Sequence, residues 1–171
     1  MGVQNSNTNN YTKIAEIIQQ YKQDNDPTEI LPYLYLGGKS IKQNTVLLNI
    51  LNIKNALNVA HDVDLGKNLL DTPGIRIIHI KTKDIRADFE KCFALIDSVR
   101  FSNQKILIFC KNGRSRSFTI VAAYLMSRYR MSLAMAFNFI QQKRPVVEPR
   151  INFIEILEEY EKELILKPFI A

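Results

Sequence analysis

KILIFCKNGRSRS, residues 105–117, is the stretch of the sequence that decides the fold. Lys105 to Cys110 is a short, nearly continuous apolar run, which is typical of a strand buried on both faces of a sheet. A Gly/Ser/Arg loop follows, and from Ser117 to Tyr129 the apolar residues recur at helical spacing. The stretch therefore predicts a buried strand that feeds the N-terminus of a helix, and ligands of open α/β sheets bind beyond the carboxyl ends of such strands.

Working outward, the rest of the chain alternates between strand and helix patterns. Further strands are predicted at Ile30–Leu36, Asn55–Ala60 and Ile75–Ile80, and further helices at Tyr11–Gln23, Ser40–Leu51, Asp88–Val99, Ser132–Lys143 and Ile151–Leu166. Strands alternating with helices, then helices to the end, predict a single α/β layered domain with helices on both faces of the sheet.

The chain divides into three predicted segments. Residues 1–10 are polar and unpatterned, so we expect them to be disordered. Residues 11–27 are expected to form a short amphipathic helix that Asp26-Pro27 ends. Residues 28–171 form the main domain, within which Gly37-Gly38 is expected to end the first strand and start a turn.

Composition excludes several classes of protein. At 171 residues and 46% hydrophobic, the chain can bury a core without a structural metal or disulfide. No apolar run approaches the roughly 20 residues of a membrane span, and the N-terminus lacks the apolar segment of a secretory signal. We therefore expect a cytoplasmic protein in which Cys92 and Cys110 are free thiols. His61 and His79 do not sit at metal-ligand spacing, so no metal or cofactor is predicted.

The net charge of +6 favours anionic partners such as phosphoproteins or anionic lipid. The basic residues do not form a stripe interleaved with aromatic residues, so nucleic-acid binding is not predicted.

The loop after Cys110 has the features of an anion site. It can turn successive backbone N–H groups toward one point, and the following helix adds unsatisfied donors and the positive end of its dipole. Gly113 allows a tight backbone close to the ligand. This field favours the thiolate of Cys110, which is a nucleophile, and Arg116 offers a planar fork of donors that matches two phosphoryl oxygens. A thiolate, N–H donors and an arginine can catalyse phosphate transfer without a metal. The competing interpretation is a buried structural thiol beside solvated arginines.

These residues resemble the dual-specificity phosphatases of the protein tyrosine phosphatase superfamily. The resemblance covers roughly residues 28–165 and includes Glu29–Gly37, Asn58–Ala60, Ala123–Met126 and Arg144–Val147 with Pro149. It implies a four- to five-stranded, mostly parallel sheet flanked by helices, and a shallow active site. It also implies activity on phosphotyrosine together with phosphoserine or phosphothreonine in proteins.

The resemblance also implies roles for residues of the loop. Cys110 would form a phosphocysteine intermediate, Arg116 would hold the phosphoryl oxygens, and the Ser117 hydroxyl would assist the thiolate and its departure. The remaining substrate-binding residues would line the cradle with backbone N–H groups: Lys111, Asn112, Gly113, Arg114 and Ser115.

The sequence departs from the family pattern at two places. The residue before the nucleophile is usually a histidine, whereas here it is Phe109; Lys111 and Arg114 are expected to compensate by their charge. The family's general acid is an aspartate on a loop after a strand, which favours Asp84. This residue lies 26 positions before Cys110, fewer than is usual in the family, so the connection is shortened here. Asp88 is the competing candidate, with helix capping as its alternative role.

Four further hypotheses stay open at this stage. The basic loop also resembles that of phosphatases acting on phosphoinositides or other lipid phosphates, and an inactive phosphate-binding adaptor is the rival from another class. Cys92 could protect Cys110 as a disulfide, although a core position is the preferred interpretation. Met1-Gly2 with Ser6 fits the N-myristoylation pattern at Gly2 and would give weak, reversible membrane contact.

Overall fold

The computed structural model describes residues 26–43, 45–64, 73–81 and 83–166. The predictions for residues 1–10, for the helix at Tyr11–Gln23 and for Gly2 lie outside the described residues. The described residues form a five-stranded sheet in the order β1-β2-β5-β3-β4. Its strands are β1 (Thr28–Leu31), β2 (Leu34–Gly38), β3 (Ile53–Asn58), β4 (Arg76–His79) and β5 (Lys105–Cys110). Only β1 pairs antiparallel, so the predicted mostly parallel α/β sheet flanked by helices is confirmed.

The helices follow the predicted order. They are a 3-10 helix (Lys39–Gln43), α1 (Thr45–Ile50), α2 (Phe89–Phe101), α3 (Arg116–Tyr129), α4 (Leu133–Lys143) and α5 (Ile151–Leu166). The Ser132 side chain caps α4 by accepting a hydrogen bond from the Met135 N–H at 3.1 Å, as expected of serine at this position. No helix within the described ranges is long and apolar enough to cross a membrane.

Three local predictions were wrong. The single strand expected at Ile30–Leu36 is a hairpin of β1 and β2, because Pro32 lacks the N–H of a strand residue and, with Tyr33, forms the turn. The helix expected at Ser40–Leu51 is divided between the 3-10 helix and α1. Gly37 and Gly38 are the last residues of β2 rather than a turn, and both are buried.

The centre of the domain is the pair formed by β5 and α3. β5 lies between β2 and β3, and its residues from Ile106 to Cys110 are buried. α3 is buried continuously from Ser117 to Met126 and packs against α2, α4 and α5. Cys110 is the last residue of the central strand and Arg116 is the first residue of the central helix. Both candidate site residues therefore belong to elements that are packed against neighbours on several sides.

Candidate active site

The loop between β5 and α3 is held by its carbonyl groups, which face outward. The Lys111 carbonyl accepts a hydrogen bond from the Lys39 N–H (3.1 Å), that of Gly113 from Arg144 Nε (2.9 Å) and that of Arg114 from the Glu148 N–H (3.0 Å). Because the C=O and N–H of one peptide group point in opposite directions, the next N–H groups along the chain face the inside of the loop. This arrangement is the one that the predicted anion cradle requires, and anion binding by the loop stays a prediction.

Gly113 is the residue that allows this path. Its φ of +66° lies in the left-handed region, and a Cβ there would come within 2.5 Å of the Gly37 carbonyl carbon. A Cβ at Gly38 would lie 3.0 Å from the Asn112 carbonyl carbon. The loop therefore packs directly on the backbone of Gly37 and Gly38, which explains why glycines occupy positions 38 and 113.

Cys110 lies at the base of the cradle, with only 3% of its surface exposed. Its Sγ lies 3.2 Å from the Ser117 Oγ. Burial acts to raise the pKa of the Cys110 thiol, but hydrogen bonds from the Ser117 hydroxyl and from the backbone N–H groups of Ser117 and Gly113 lower it, as does the positive charge of Arg116. The net result is a pKa below the ordinary value of a thiol. The site therefore favours the nucleophilic thiolate without a histidine at position 109.

A cavity of about 370 Å³ opens above Cys110. It is lined by Cys110, Lys111, Asn112, Arg114, Ser115, Arg116, Glu148, Pro149, Arg150 and Phe153. Six of the eight predicted loop residues thus line one cavity, with basic side chains around it, whereas Gly113 and Ser117 are not among the lining residues. The wall contributed by residues 148–153 was missed. This segment begins 38 positions after Cys110, and its own sequence does not indicate a binding site.

Arg144 supports the cradle from below and was also missed as a site residue. It is fully buried, and besides Gly113 it donates from Nη1 to the Thr28 Oγ1 (2.9 Å) and to the Asp26 carbonyl (3.1 Å). A buried arginine is unusual unless its donors are satisfied. Arg144 therefore connects the loop between β5 and α3 to the start of β1 through hydrogen bonds.

Asp62 is a further missed residue. It follows β3 and accepts a hydrogen bond from Arg116 Nη1, forming an ion pair. The rule that places ligand residues beyond the carboxyl ends of strands could have singled it out.

The predicted general acids occupy the segment before α2. Asp84 is exposed, and its Oδ1 accepts hydrogen bonds from the N–H groups of Arg86 (3.0 Å) and Ala87 (3.3 Å). Asp88 directly precedes α2, and in the described part of the chain its side chain makes no capping hydrogen bond. Neither aspartate is among the described residues that line the cavity.

Cys92 is a free, fully buried thiol of α2. Burial raises its pKa to about 12, so it is a poor nucleophile.

A low-pKa cysteine in an amide cradle beside an arginine, at the end of the central parallel strand, defines the class of cysteine-based phosphatases. Comparison with known proteins agrees. The model of the dual specificity phosphatase catalytic domain matches residues 34–163. The chain belongs to this family of phosphatase hydrolases, within the cysteine-based protein tyrosine phosphatase superfamily.

Individual relatives support the same assignment. Dual specificity protein phosphatase 1 of Arabidopsis thaliana is 31% identical over 158 residues, covering 89% of this chain and 77% of the relative. Dual specificity protein phosphatase 5 of Rattus norvegicus is 37% identical over 140 residues, covering 81% of this chain but only 36% of the relative. The crystal structure of human DUSP28 superposes with a TM-score of 0.72 at 28% identity, covering 81% of this chain and 95% of that one.

Proposed function

We propose that this chain is a metal-independent protein phosphatase that hydrolyses phosphotyrosine and phosphoserine or phosphothreonine through a phosphocysteine intermediate. The observation that carries the proposal is the lowered pKa of Cys110 at the base of a cavity that Arg116 also lines. A cytoplasmic location is part of the proposal, because two free thiols suit a reducing compartment. Cell fractionation with compartment markers tests it.

In the first step, the Cys110 thiolate attacks phosphorus and the bond to the substrate oxygen breaks. That oxygen leaves with a proton from a general acid, for which Asp84 is the preferred candidate. Arg116 and the inward N–H groups stabilise the negative charge on the phosphoryl oxygens. In the second step, water attacks the phosphocysteine, gives its proton to the same carboxylate, and inorganic phosphate and the thiolate are released. The Ser117 hydroxyl, 3.2 Å from Sγ, donates to the sulfur as its charge returns.

The test is a rapid-mixing assay with p-nitrophenyl phosphate. We expect a burst of nitrophenol equal to the enzyme concentration, followed by slower turnover, and no burst from Cys110→Ser. Cys92→Ser is the matched control, because it removes the other thiol and is expected to keep the burst. A Cys110→Ser enzyme with unchanged turnover contradicts the mechanism.

The identity of the general acid is tested by the leaving group. An alkyl phosphate needs protonation of its leaving oxygen more than nitrophenyl phosphate does, since alkoxide is the poorer leaving group. We expect Asp84→Asn to slow the alkyl substrate far more than the nitrophenyl one, and Asp88→Asn to leave their ratio unchanged. The opposite pattern assigns the acid to Asp88.

A lipid-phosphate substrate is the second candidate, and the basic cavity favours it. Lys111, Arg114 and Arg150 line the same cavity as the nucleophile, which suits a substrate with more than one phosphate. One structure similar in fold is PTPMT1 in complex with PI(5)P, with a TM-score of 0.66 at 22% identity. Turnover of a phosphopeptide panel and of phosphoinositides, measured side by side, separates the two candidates; a higher kcat/KM for the lipids overturns the protein assignment.

An inactive phosphate-binding adaptor is the third candidate. One solved structure of similar fold is named for interaction: human tyrosine phosphatase-like serine/threonine/tyrosine-interacting protein has a TM-score of 0.71 at 25% identity. The lowered pKa of Cys110 speaks against inactivity here. Absence of any Cys110-dependent burst is the result that would establish the adaptor.

Membrane contact through Gly2 stays a prediction. Coexpression with an N-myristoyltransferase is expected to add the mass of one myristoyl group, and Gly2→Ala to abolish the addition. An unmodified intact mass of the wild type removes the idea.

A further inference from the structure

Asp62 lies at the edge of the active site, on a backbone that the sheet fixes. The Val59 N–H donates to the Phe109 carbonyl (3.0 Å), which joins the end of β3 to the residue before the nucleophile. The Ala60 carbonyl contacts the His79 Nε2 (2.8 Å), which joins the same segment to β4. Asp62 follows two residues later, in a turn that begins close to the end of β5.

The carboxylate of Asp62 binds the guanidinium of Arg116. Its Oδ1 accepts a hydrogen bond from Nη1, and this bond is the main cause of a pKa of Asp62 below its usual value. The lowered pKa makes Asp62 a poorer proton donor than an ordinary aspartate, so we do not consider it a candidate for the general acid. The same guanidinium lowers the pKa of Cys110, so Arg116 acts on the thiolate and on Asp62 at once.

We propose that Asp62 is a positioning residue, which holds Arg116 in the orientation that receives the phosphoryl group; this inference rests on the phosphatase function proposed above. Asp62 occupies Nη1, and the other edge of the guanidinium, formed by Nε and Nη2, is left for two phosphoryl oxygens. The Arg116 side chain is only 16% exposed, so the arginine side of the ion pair is shielded from water, whereas the Asp62 side chain is 40% exposed. An arginine without this partner must lose its rotamer freedom each time a substrate binds.

The proposal predicts that removing the Asp62 carboxylate lowers activity and, at the same time, lowers the pKa of Cys110. Removing the carboxylate is expected to slow turnover and weaken oxyanion binding, because Arg116 is no longer held. It also removes a negative charge that offsets Arg116, so the pKa of the Cys110 thiol is expected to fall further. A general loosening of the site would break the hydrogen bonds from Ser117 and Gly113 that lower the pKa of the thiol, and the pKa would not fall below that of the wild type. The two effects together therefore distinguish positioning from a structural role.

The test uses Asp62→Asn, which keeps the size of the side chain and removes its charge. We expect kcat for p-nitrophenyl phosphate to fall about tenfold or more, orthovanadate to inhibit more weakly, and the midpoint of the pH dependence of Cys110 alkylation by neutral iodoacetamide to move to lower pH. Asp62→Glu is expected to recover part of the turnover. Asp64→Asn, an exposed change of equal charge on the same segment, is the matched control and is expected to match the wild type.

Two results overturn the proposal. Turnover and orthovanadate inhibition like those of the wild type show that Asp62 does not position Arg116. Stronger orthovanadate inhibition shows that the carboxylate competes with the substrate instead. Orthovanadate binding can be measured by the protection of Cys110 from iodoacetamide, and alkylation of Cys110 can be measured directly. Neither of these two measurements requires turnover. A wild type without a Cys110-dependent burst therefore contradicts the phosphatase function alone, while these two measurements still decide the role of Asp62.

Discussion

Arg144 is the support whose removal should affect both stability and catalysis. Arg144→Met removes the donors to the Gly113 carbonyl, the Thr28 hydroxyl and the Asp26 carbonyl. Hydrogen bonds from a charged donor contribute about 1.5 kcal/mol or more each, so the three named bonds amount to about 5 kcal/mol. The methionine avoids the cost of burying a guanidinium, which reduces the loss to about 3 kcal/mol. For a domain of this size, that corresponds to a fall in Tm of roughly 6 to 12 °C.

The same substitution is expected to displace the cradle, because the Gly113 carbonyl loses the bond that turns it outward. A shift of about 1 Å in a positioning group costs roughly a hundredfold in rate, and we expect a loss of kcat/KM of that order. Urea unfolding followed by circular dichroism gives the stability, and p-nitrophenyl phosphate turnover at 15 °C, where the variant stays folded, gives the rate. Lys143→Met, an exposed neighbouring cation whose Nζ lies over the Phe139 ring, is the matched control and should change stability by about 1 kcal/mol or less. An Arg144→Met protein with unchanged Tm and kcat/KM would refute the reasoning.

Three further predictions concern the cradle itself. Gly113→Ala should lower Tm and abolish most turnover, since its Cβ would lie 2.5 Å from a Gly37 backbone carbon; unchanged differential scanning calorimetry contradicts this. Ser117→Ala should keep the burst but slow steady-state turnover about 10- to 100-fold, because a hydrogen bond to the thiolate is lost. Stopped-flow measurement separates the two phases, and an equal loss of rate in both would contradict this role of Ser117. Iodoacetamide should label Cys110 below the pH at which an ordinary thiol reacts, with a rate that falls as pH drops through the Cys110 pKa, while Cys92 stays unlabelled in the folded protein. Peptide mass mapping across pH checks both, and equal labelling refutes the assignment.

The stretch from Lys105 to Ser117 could be predicted because its signals are local. An apolar run, a glycine and a run of basic and hydroxyl residues lie within 13 positions, and each acts through its own backbone conformation or charge. The positions of Cys110, Arg116 and Ser117 relative to one another then follow from the strand-to-helix turn. The contact of Sγ with Ser117, seven positions along the chain, is such a case.

Other site residues could not be predicted because their roles come from distant pairings. Arg144 contacts Thr28 across 116 positions, and Asp62 contacts Arg116 across 54. A buried arginine and an exposed one look the same in sequence, since the difference is made by the carbonyl groups that the fold brings to it. Gly38 was misassigned for the same reason: it serves the approach of Asn112, not a turn in its own segment.

Phe109 raises the question of whether the family's usual histidine would improve this enzyme, and the structure argues that it would not. Phe109 is fully buried in β5, and its backbone carbonyl already accepts the Val59 N–H. The pKa of Cys110 is lowered by Ser117, backbone amides and Arg116. Phe109→His places a polar ring in a core position shaped for an apolar one, at a cost of about 2 kcal/mol. We expect a lower Tm and no gain in kcat, measured by calorimetry and p-nitrophenyl phosphate turnover from pH 5 to 8. Phe109→Leu, which keeps the position apolar, is the control for lost packing. A tenfold rise in kcat at unchanged Tm in Phe109→His alone would show that the amides, hydroxyl and guanidinium do not replace the imidazole.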